Sequence, residues 1–201
     1  EQWYEAENEL MNHHETIGLI VDFRLNYGGD MRQAHSGYTL LFDERITAVS
    51  FDVRGDPDDH LDMVPSRTHT AGMFIIPGSS STFYDKPIAV LIGPGAVSNG
   101  DWESLRMGFH PRVRTFGKAT NGAFTLSDFP NLGDDWFFTK ATGSGYLIDG
   151  HVYLAHTGVQ PNTRVWLERD DVAAGRDTVV EAAMRWIEGR RPHRVRGRVL
   201  P

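Results

Sequence analysis

The sequence predicts an α/β fold with a β-rich second half, and three observations support this class. Two short apolar runs ended by turn residues, at 17–23 and 87–92, are typical of strands buried on both faces of a parallel sheet. Segments with apolar residues at helical spacing alternate with these runs. From 123 to 168, short strand-like segments follow one another instead. Strands that alternate with helices, and then a run of strands, indicate a mixed sheet structure.

The first half of the chain supplies most of the predicted helices. Residues 3–16 form a predicted helix because Trp3, Ala6 and Leu10 share an apolar side. A second helix is predicted over 30–42, where apolar residues again recur at helical spacing. The other predicted elements of this half are a strand at 49–53, a polar surface loop at 54–72, a short strand at 73–76, a helix at 99–109 and a strand at 113–116.

The second half is predicted to be mainly β-structure that ends in one helix. Asp149-Gly150 is typical of a hairpin turn. The last helix is predicted over 177–188, with Asp177 as its N-cap. The tail, 189–201, is rich in arginine and is interpreted as a solvated or contact-making segment, or as an arm for nucleic acid or an acidic partner. The predicted strands of this half lie at 123–129, 136–139, 145–148, 152–154 and 164–167.

The composition excludes several classes of protein. With 201 residues, 40% hydrophobic, the chain is long enough for one domain with a sizeable core. Its net charge of -7 argues against nucleic acid as a partner. It contains no cysteine, and no apolar run is long enough for a membrane helix. We expect no cofactor, and the composition leaves the cellular compartment and the oligomeric state open.

A serine lies between the second apolar run and the helix predicted over 99–109. A turn from strand to helix exposes the hydroxyl of Ser98 and places the N–H of Asn99 beside it. Two interpretations stay open: Ser98 is a nucleophile, or it caps the helix with Asp101 in a variant of the capping box. The turn is also close to the Gly-x-Ser-x-Gly elbow of esterase-like hydrolases, with Ala96 in place of the first glycine.

A glycine pair follows the first apolar run. Gly28 and Gly29 can adopt backbone conformations that aim N–H groups at a ligand. If this corner meets Ser98, the two turns together supply a nucleophile and an oxyanion hole. The alternative interpretation is a tight turn with no further role.

Taken together, these segments resemble the tail-specific (C-terminal processing) and tricorn-type serine peptidases. The resemblance implies a crotonase-like, Clp-protease-like sheet with flanking helices, a catalytic domain over 1–188, and a peptide or protein substrate. It implies that Ser98 is the nucleophile and that the N–H groups of Gly29 (or Gly28) and Asn99 form the oxyanion hole. The matching segments are 18–29, 87–101, 114–122 and 158–162.

At the positions where the resemblance implies a lysine base or a supporting glutamate, this chain has other residues. Where tail-specific peptidases have a lysine, this chain has Ala123, and Lys118 lies at a different position of the turn. Where tricorn-type members have a glutamate, it has Ala155. Two histidines are candidate bases, His35 and His156; either needs to come within hydrogen-bond reach of the serine. The tricorn-type histidine would precede the first residue of this sequence.

A polar loop also holds residues that bind metals in other proteins. Their spacing is not that of a known metal motif, so we expect a solvated acidic loop and no metal. The residues concerned are Asp58, Asp59, His60, Asp62 and His69.

Three functional hypotheses follow. The first is a serine-type peptidase that acts through Ser98. The second is an inactive relative that binds peptides or partner proteins, which Ala123 and Ala155 favour. The third is an esterase-like hydrolase that uses Ser98 and His156.

Overall fold

The computed structural model describes residues 2–13, 15–30, 34, 37–38, 40–67 and 83–190. The α-helices whose full bounds the described residues give are α1 (Gln2–His13), α2 (Asn99–Gly108), α3 (Arg169–Ala173) and α4 (Thr178–Glu188). The strands are β1 (Leu19–Asp22), β2 (Val49–Arg54), β3 (Met63–Pro65), β4 (Ile88–Ile92), β5 (Val113–Gly117), β6 (Thr125–Asp128), β7 (Asn131–Gly133), β8 (Trp136–Phe137), β9 (Lys140–Leu147), β10 (Val152–Tyr153) and β11 (Thr163–Arg164).

A parallel sheet of four strands, in the order β1-β4-β5-β11, positions the candidate site. Its central strand β4 is buried along its whole length, as the apolar run predicted. Strand β1 is only partly buried: Leu19 and Ile20 are half-buried and Asp22 is exposed. The expectation of a strand buried on both faces is confirmed in part, because Val21 is buried in one core cluster and Ile20 packs against the cluster on the other face. Among the described residues, β1 pairs with β4 and lies at an edge of this sheet.

Helices cover both faces of the parallel sheet. On one face α4 packs Val179, Ala183 and Ile187 against Ala89 and Leu91 of β4. The opposite face carries a core cluster that includes Val90 and Ile92, against which residues of α2 and α1 pack. Because both faces of β4 are buried in this arrangement, its sequence is a continuous run of apolar residues.

A second, antiparallel sheet contains most of the β-rich half. Its order is β10-β9-β2-β3, with β6 also paired to β9. Aromatic side chains join it to α2: the ring centroids of Trp102 and Phe124 are 4.6 Å apart, and those of Trp102 and Phe51 are 5.4 Å apart. A Cβ on Gly145 would lie 2.5 Å from the Trp102 ring, so the close approach needs glycine there. Helix α2 thus lies between the two sheets.

Most predicted elements are confirmed, with some differences. The 54–72 segment is not only loop, because β3 lies inside it and pairs with β2. Strand β7 and helix α3 were not predicted. The helix predicted at 30–42 is seen at Ala34 and at other described positions up to Leu41. The strand predicted at 73–76, and the tail from 191 onward, lie outside the described residues.

The hairpin and the last helix begin where the sequence placed them. The β9–β10 hairpin turns at Asp149–His151. Asp177 is the N-cap of α4, and its carboxylate accepts hydrogen bonds from the N–H groups of Val179 and Val180. Among the described residues, no helix is long and apolar enough to cross a membrane.

Candidate active site

Ser98 occupies a strained turn between β4 and α2. Its backbone has φ 57° and ψ -117°, a conformation that L-residues rarely adopt. The hydroxyl makes no capping hydrogen bond, although Ser98 is the residue that precedes the helix. The interpretation of Ser98 and Asp101 as a capping box is therefore wrong. Helix capping therefore does not account for the strained backbone of Ser98. Backbone strain of this kind is common at functional positions.

The glycine corner after β1 lies against this turn. A Cβ built on Gly28 would come within 2.9 Å of the Cβ of Ser98 and 3.2 Å of the amide nitrogen of Asn99. Gly28 also has φ 102°, so both the space and the backbone conformation require glycine. Beside it, Gly29 has φ 139° and open space where a side chain would be. The two distant turns singled out in the sequence thus meet.

Asn26 fastens the two turns to each other. Its side-chain oxygen accepts a hydrogen bond of 3.0 Å from the N–H of Gly28, and its backbone carbonyl accepts one of 3.0 Å from Val97. A Cβ on Gly100 would collide with that carbonyl. Sequence reasoning missed this role for Asn26, although an asparagine two residues before a turn glycine is the signal of an Asx turn.

Asp101 holds a third loop in place. Its side chain is fully buried, and its two oxygens accept hydrogen bonds from the N–H groups of Gly122 (2.7 Å) and Ala123 (3.0 Å). The N–H of Asn121 in the same loop donates to the carbonyl of Ala96 at 3.0 Å. The loop that contains Ala123 is thus bonded to α2 and to the Ser98 turn.

The two candidate bases, and Lys118, which is not one of them, are placed as follows. His156 is exposed, has φ 68°, and donates its backbone N–H to the carbonyl of Gly122 at 2.9 Å. It therefore borders the loop that Asp101 holds. Lys118 places its ammonium 5.0 Å from the ring centroid of Trp166. His35 lies outside the described residues.

An ion-pair cluster lies beside the end of β1. Arg24 contacts Asp22 at 2.6 Å and Asp177 at 2.8 Å. The hydrogen bond to Asp22 raises the pKa of Arg24. Burial alone raises the pKa of Asp177, but the N–H of Val180, Arg24 and the N–H of Val179 outweigh it, so its pKa is lowered. A groove of about 750 Å³ runs past these residues.

A second cavity, of about 470 Å³, opens next to the Ser98 turn. Burial raises the pKa of Glu103 in its wall to about 7, against the opposing effect of Arg106. The guanidinium Nη1 of Arg106 lies 3.3 Å from the Glu103 carboxylate. The residues around this cavity are Gln2, Trp3, Phe23, Asn26, Ala34, Asn99 and Glu103.

Comparison with known proteins shows the family to which this chain belongs. The sequence matches the model of peptidase family S41 over residues 1–165, which is most of the chain. The chain therefore belongs to peptidase family S41. A search of curated proteins found no match.

Solved structures agree with the family at the level of the fold. A candidate peptidase from Parabacteroides merdae is similar with a TM-score of 0.73 and 24% identity, over 92% of this chain and 56% of that one. The photosystem II D1 C-terminal processing protease is similar with a TM-score of 0.58 and 20% identity, over 81% of this chain and 38% of that one. The tricorn protease is similar with a TM-score of 0.57 and 22% identity, over 86% of this chain and 15% of that one. The chain spans about half the length of the first of these structures, and less of the others.

Proposed function

We propose that this chain is a serine-type peptidase domain that hydrolyses peptide bonds through Ser98. The observation that carries the proposal is the contact between two distant turns, in which Gly28 lies against both Ser98 and the amide of Asn99. A strained serine at a helix N-terminus with a glycine corner beside it is the arrangement that acyl transfer needs. Membership of a peptidase family supports peptide bonds as the substrate.

In this proposal the oxyanion is held by two backbone N–H groups. Asn99 supplies one, because it directly follows the nucleophile and begins a helix whose N-terminus favours negative charge. Gly29 supplies the other. Gly28 is the weaker candidate since its N–H already donates to the side chain of Asn26. The open space around Gly29 leaves room for the substrate carbonyl.

The base in this proposal is a histidine. Of the two candidates within the chain, His35 and His156, only His156 lies in the described part, and the loop it borders is bonded to both Ala96 and Asp101. The alternative source is a histidine in sequence beyond these 201 residues, as the tricorn-type resemblance implies. Replacing His156 by Gln separates the two: a loss of about a thousandfold in kcat assigns the base to His156, and unchanged kcat assigns it elsewhere.

The nucleophile is tested with an active-serine phosphonate and a set of peptide substrates. We expect the protein to be labelled once, and Ser98→Ala to abolish both labelling and hydrolysis. Ser104→Ala is the matched control, because Ser104 lies on the same helix with its hydroxyl bonded to the carbonyl of Gly100. Labelling that survives Ser98→Ala would rule out the assignment.

A second candidate function is a non-catalytic relative that binds peptides. Ala123 and Ala155, in place of the family's lysine and glutamate, favour it. In this function a peptide adds, through backbone hydrogen bonds, to the side of β1 that pairs with no strand of the described residues. This function predicts peptide binding with no turnover in the protein that contains this chain, and robust hydrolysis that is lost in Ser98→Ala would eliminate it.

A further inference from the structure

The glycine corner beside Ser98 alternates between residues that contact the Ser98 turn and residues that are exposed. The backbone carbonyl of Asn26 is bonded to this turn, and Gly28 lies against Ser98 itself. The residues that follow each of them, Tyr27 and Gly29, are exposed. A substrate carbonyl reaches the amide of Gly29 from this exposed side, because the Ser98 turn occupies the other. Tyr27 therefore lies on the side from which a substrate arrives.

Tyr27 is a large aromatic residue that the fold leaves open to solvent. Its side chain is 72% exposed, and no hydrogen bond, ion pair or ring contact of the described residues involves it. An exposed tyrosine is ordinary in itself. The position of this one is informative, because it precedes Gly29 by two residues, so that their Cα atoms are at most about 7 Å apart.

An extended peptide bound at Gly29 brings its own residues to this ring. Successive residues of an extended chain are about 3.3–3.6 Å apart, so a residue two positions from the bound carbonyl is displaced by about 7 Å. The same spacing separates Tyr27 from Gly29. A substrate that runs along the corner thus places its second residue beside the Tyr27 ring, on either the amino or the carboxyl side of the scissile bond.

The surroundings of Tyr27 favour an apolar substrate side chain. Leu25 in the same segment is 73% exposed, and Trp166 and Leu167 line the groove of about 750 Å³ next to it. Packing that removes about 60 Å² of apolar surface from water corresponds to about tenfold in affinity. An ammonium over an exposed ring corresponds to only about two- to fivefold. An acidic side chain gains little, because Arg24 is already paired with two carboxylates.

We propose that Tyr27 is a specificity-determining residue, which selects substrates with a bulky apolar side chain two positions from the residue that supplies the scissile carbonyl. The inference rests on the proposed peptidase function and names its substrate class. Tyr27 contacts the substrate through its ring and takes no part in the chemical step. Its replacement therefore changes selectivity and leaves the nucleophile and the oxyanion hole in place.

The test starts from a peptide that the protein containing this chain cleaves, with the cleavage position found by mass spectrometry. Peptides are then compared that differ only two positions before, or only two positions after, the residue of the scissile carbonyl. At one of these positions we expect kcat/KM for leucine or phenylalanine to exceed that for serine by about tenfold, and that for lysine by a smaller factor. A preference for lysine or glutamate, or none at either position, would overturn the proposal.

Two variants separate the ring of Tyr27 from its hydroxyl. The readout is the ratio of kcat/KM for leucine to that for serine, which does not depend on the overall activity of a variant. We expect Tyr27→Ser to lower this ratio about five- to tenfold and Tyr27→Phe, which keeps the ring, to preserve it. Phe137→Ser is the matched control, since Phe137 is 64% exposed and lines neither the groove nor the cavity. A wild-type ratio in Tyr27→Ser, or a lost ratio in Tyr27→Phe, contradicts the inference.

A binding measurement separates this inference from the proposed function. Titration calorimetry of Ser98→Ala compares a leucine-containing peptide with its counterpart in which serine replaces leucine. We expect about five- to tenfold tighter binding of the first, and a loss of this difference when Tyr27→Ser is added. Such a preference without any hydrolysis by the wild-type protein refutes the peptidase function and keeps Tyr27 as a peptide-binding residue. Hydrolysis whose selectivity does not depend on Tyr27 refutes the inference and keeps the peptidase.

Discussion

At the scale of single residues, the backbone of Ser98 is the strongest signal of function. A serine at φ 57° and ψ -117° costs free energy that a glycine would not. Its neighbours leave little freedom to relax, because Gly28 lies against it on one side and Asn99 begins the helix on the other. The conformation exposes a hydroxyl that takes no part in capping the helix.

The strain predicts that Ser98→Gly is more stable than Ser98→Ala. Both variants lose the hydroxyl, but only glycine adopts this backbone conformation without strain, so we expect a difference of about 1 kcal/mol in the free energy of unfolding. Urea titration of the two proteins measures it. Equal stability, or a less stable glycine variant, would show that the turn is not strained.

Glu7 is a second residue whose burial costs free energy of folding. It is 3% exposed, neither carboxyl oxygen has a hydrogen-bond partner in the described part of the chain, and burial raises its pKa to about 9. The folded state therefore holds a proton that the unfolded state releases above a pKa of 4.5. The contribution of Glu7 to stability falls as pH rises from about 4.5 to 9.

Replacing Glu7 by methionine is expected to remove this pH dependence. We expect Glu7→Met to be more stable than the wild type by on the order of 2 kcal/mol at pH 8, with a smaller gain at pH 5. Thermal unfolding at both pH values measures the gain. Glu5→Met, an exposed position of the same helix, is the control and should change stability little. A gain that does not grow with pH contradicts the raised pKa.

At the scale of elements, helix α2 organises the site. Its first turn presents Ser98 and Asn99, its third residue Asp101 holds the 120–123 loop, and Trp102 packs against the second sheet. One helix thus connects the Ser98 turn, the 120–123 loop and the second sheet, which are far apart in the sequence. Asp101 acts through the loop and is a positioning residue in the proposed mechanism.

Asp101→Asn tests this organisation. The amide keeps one acceptor oxygen and turns its NH2 group toward an N–H donor, so one of two buried hydrogen bonds is lost. We expect a loss of about 2 kcal/mol in stability, together with a fall in kcat that exceeds the change in KM. Asp170→Asn, on the exposed helix α3, serves as the matched control. A stable variant with unchanged kcat would contradict the positioning role.

Sequence patterns predicted the positions of helices and strands better than they predicted which strands pair. The buried strand β4, the helix after Ser98 and the Asp177 cap follow from local patterns, and each is confirmed. The edge position of β1 does not follow from its own residues, because it depends on which strands pair. Strand β3 is three residues long, and its pairing with β2 is likewise a long-range contact.

At the scale of the whole molecule, the site exists only where the chain folds back on itself. The sequence predicted Ser98, Asn99 and the Gly28-Gly29 corner as candidate site residues. The contact between the two turns depends on the pairing of β1 with β4, which no local pattern predicts. The role of Asp101 was missed because its side chain bonds a loop distant in sequence, and the bond from Val97 to the Asn26 carbonyl is likewise long-range. The cavity beside Asn99 was missed for the same reason, since α1 and α2 form it together. The local Asx turn of Asn26 had a sequence signal that the prediction did not use.

The most direct test of the account is a crystal structure of the protein after reaction with an active-serine phosphonate. The account predicts a covalent bond between phosphorus and the Ser98 oxygen, with a phosphoryl oxygen at about 2.7–3.1 Å from the amide nitrogens of Gly29 and Asn99. A probe attached to another residue, or a phosphoryl oxygen turned away from both amides, would contradict it.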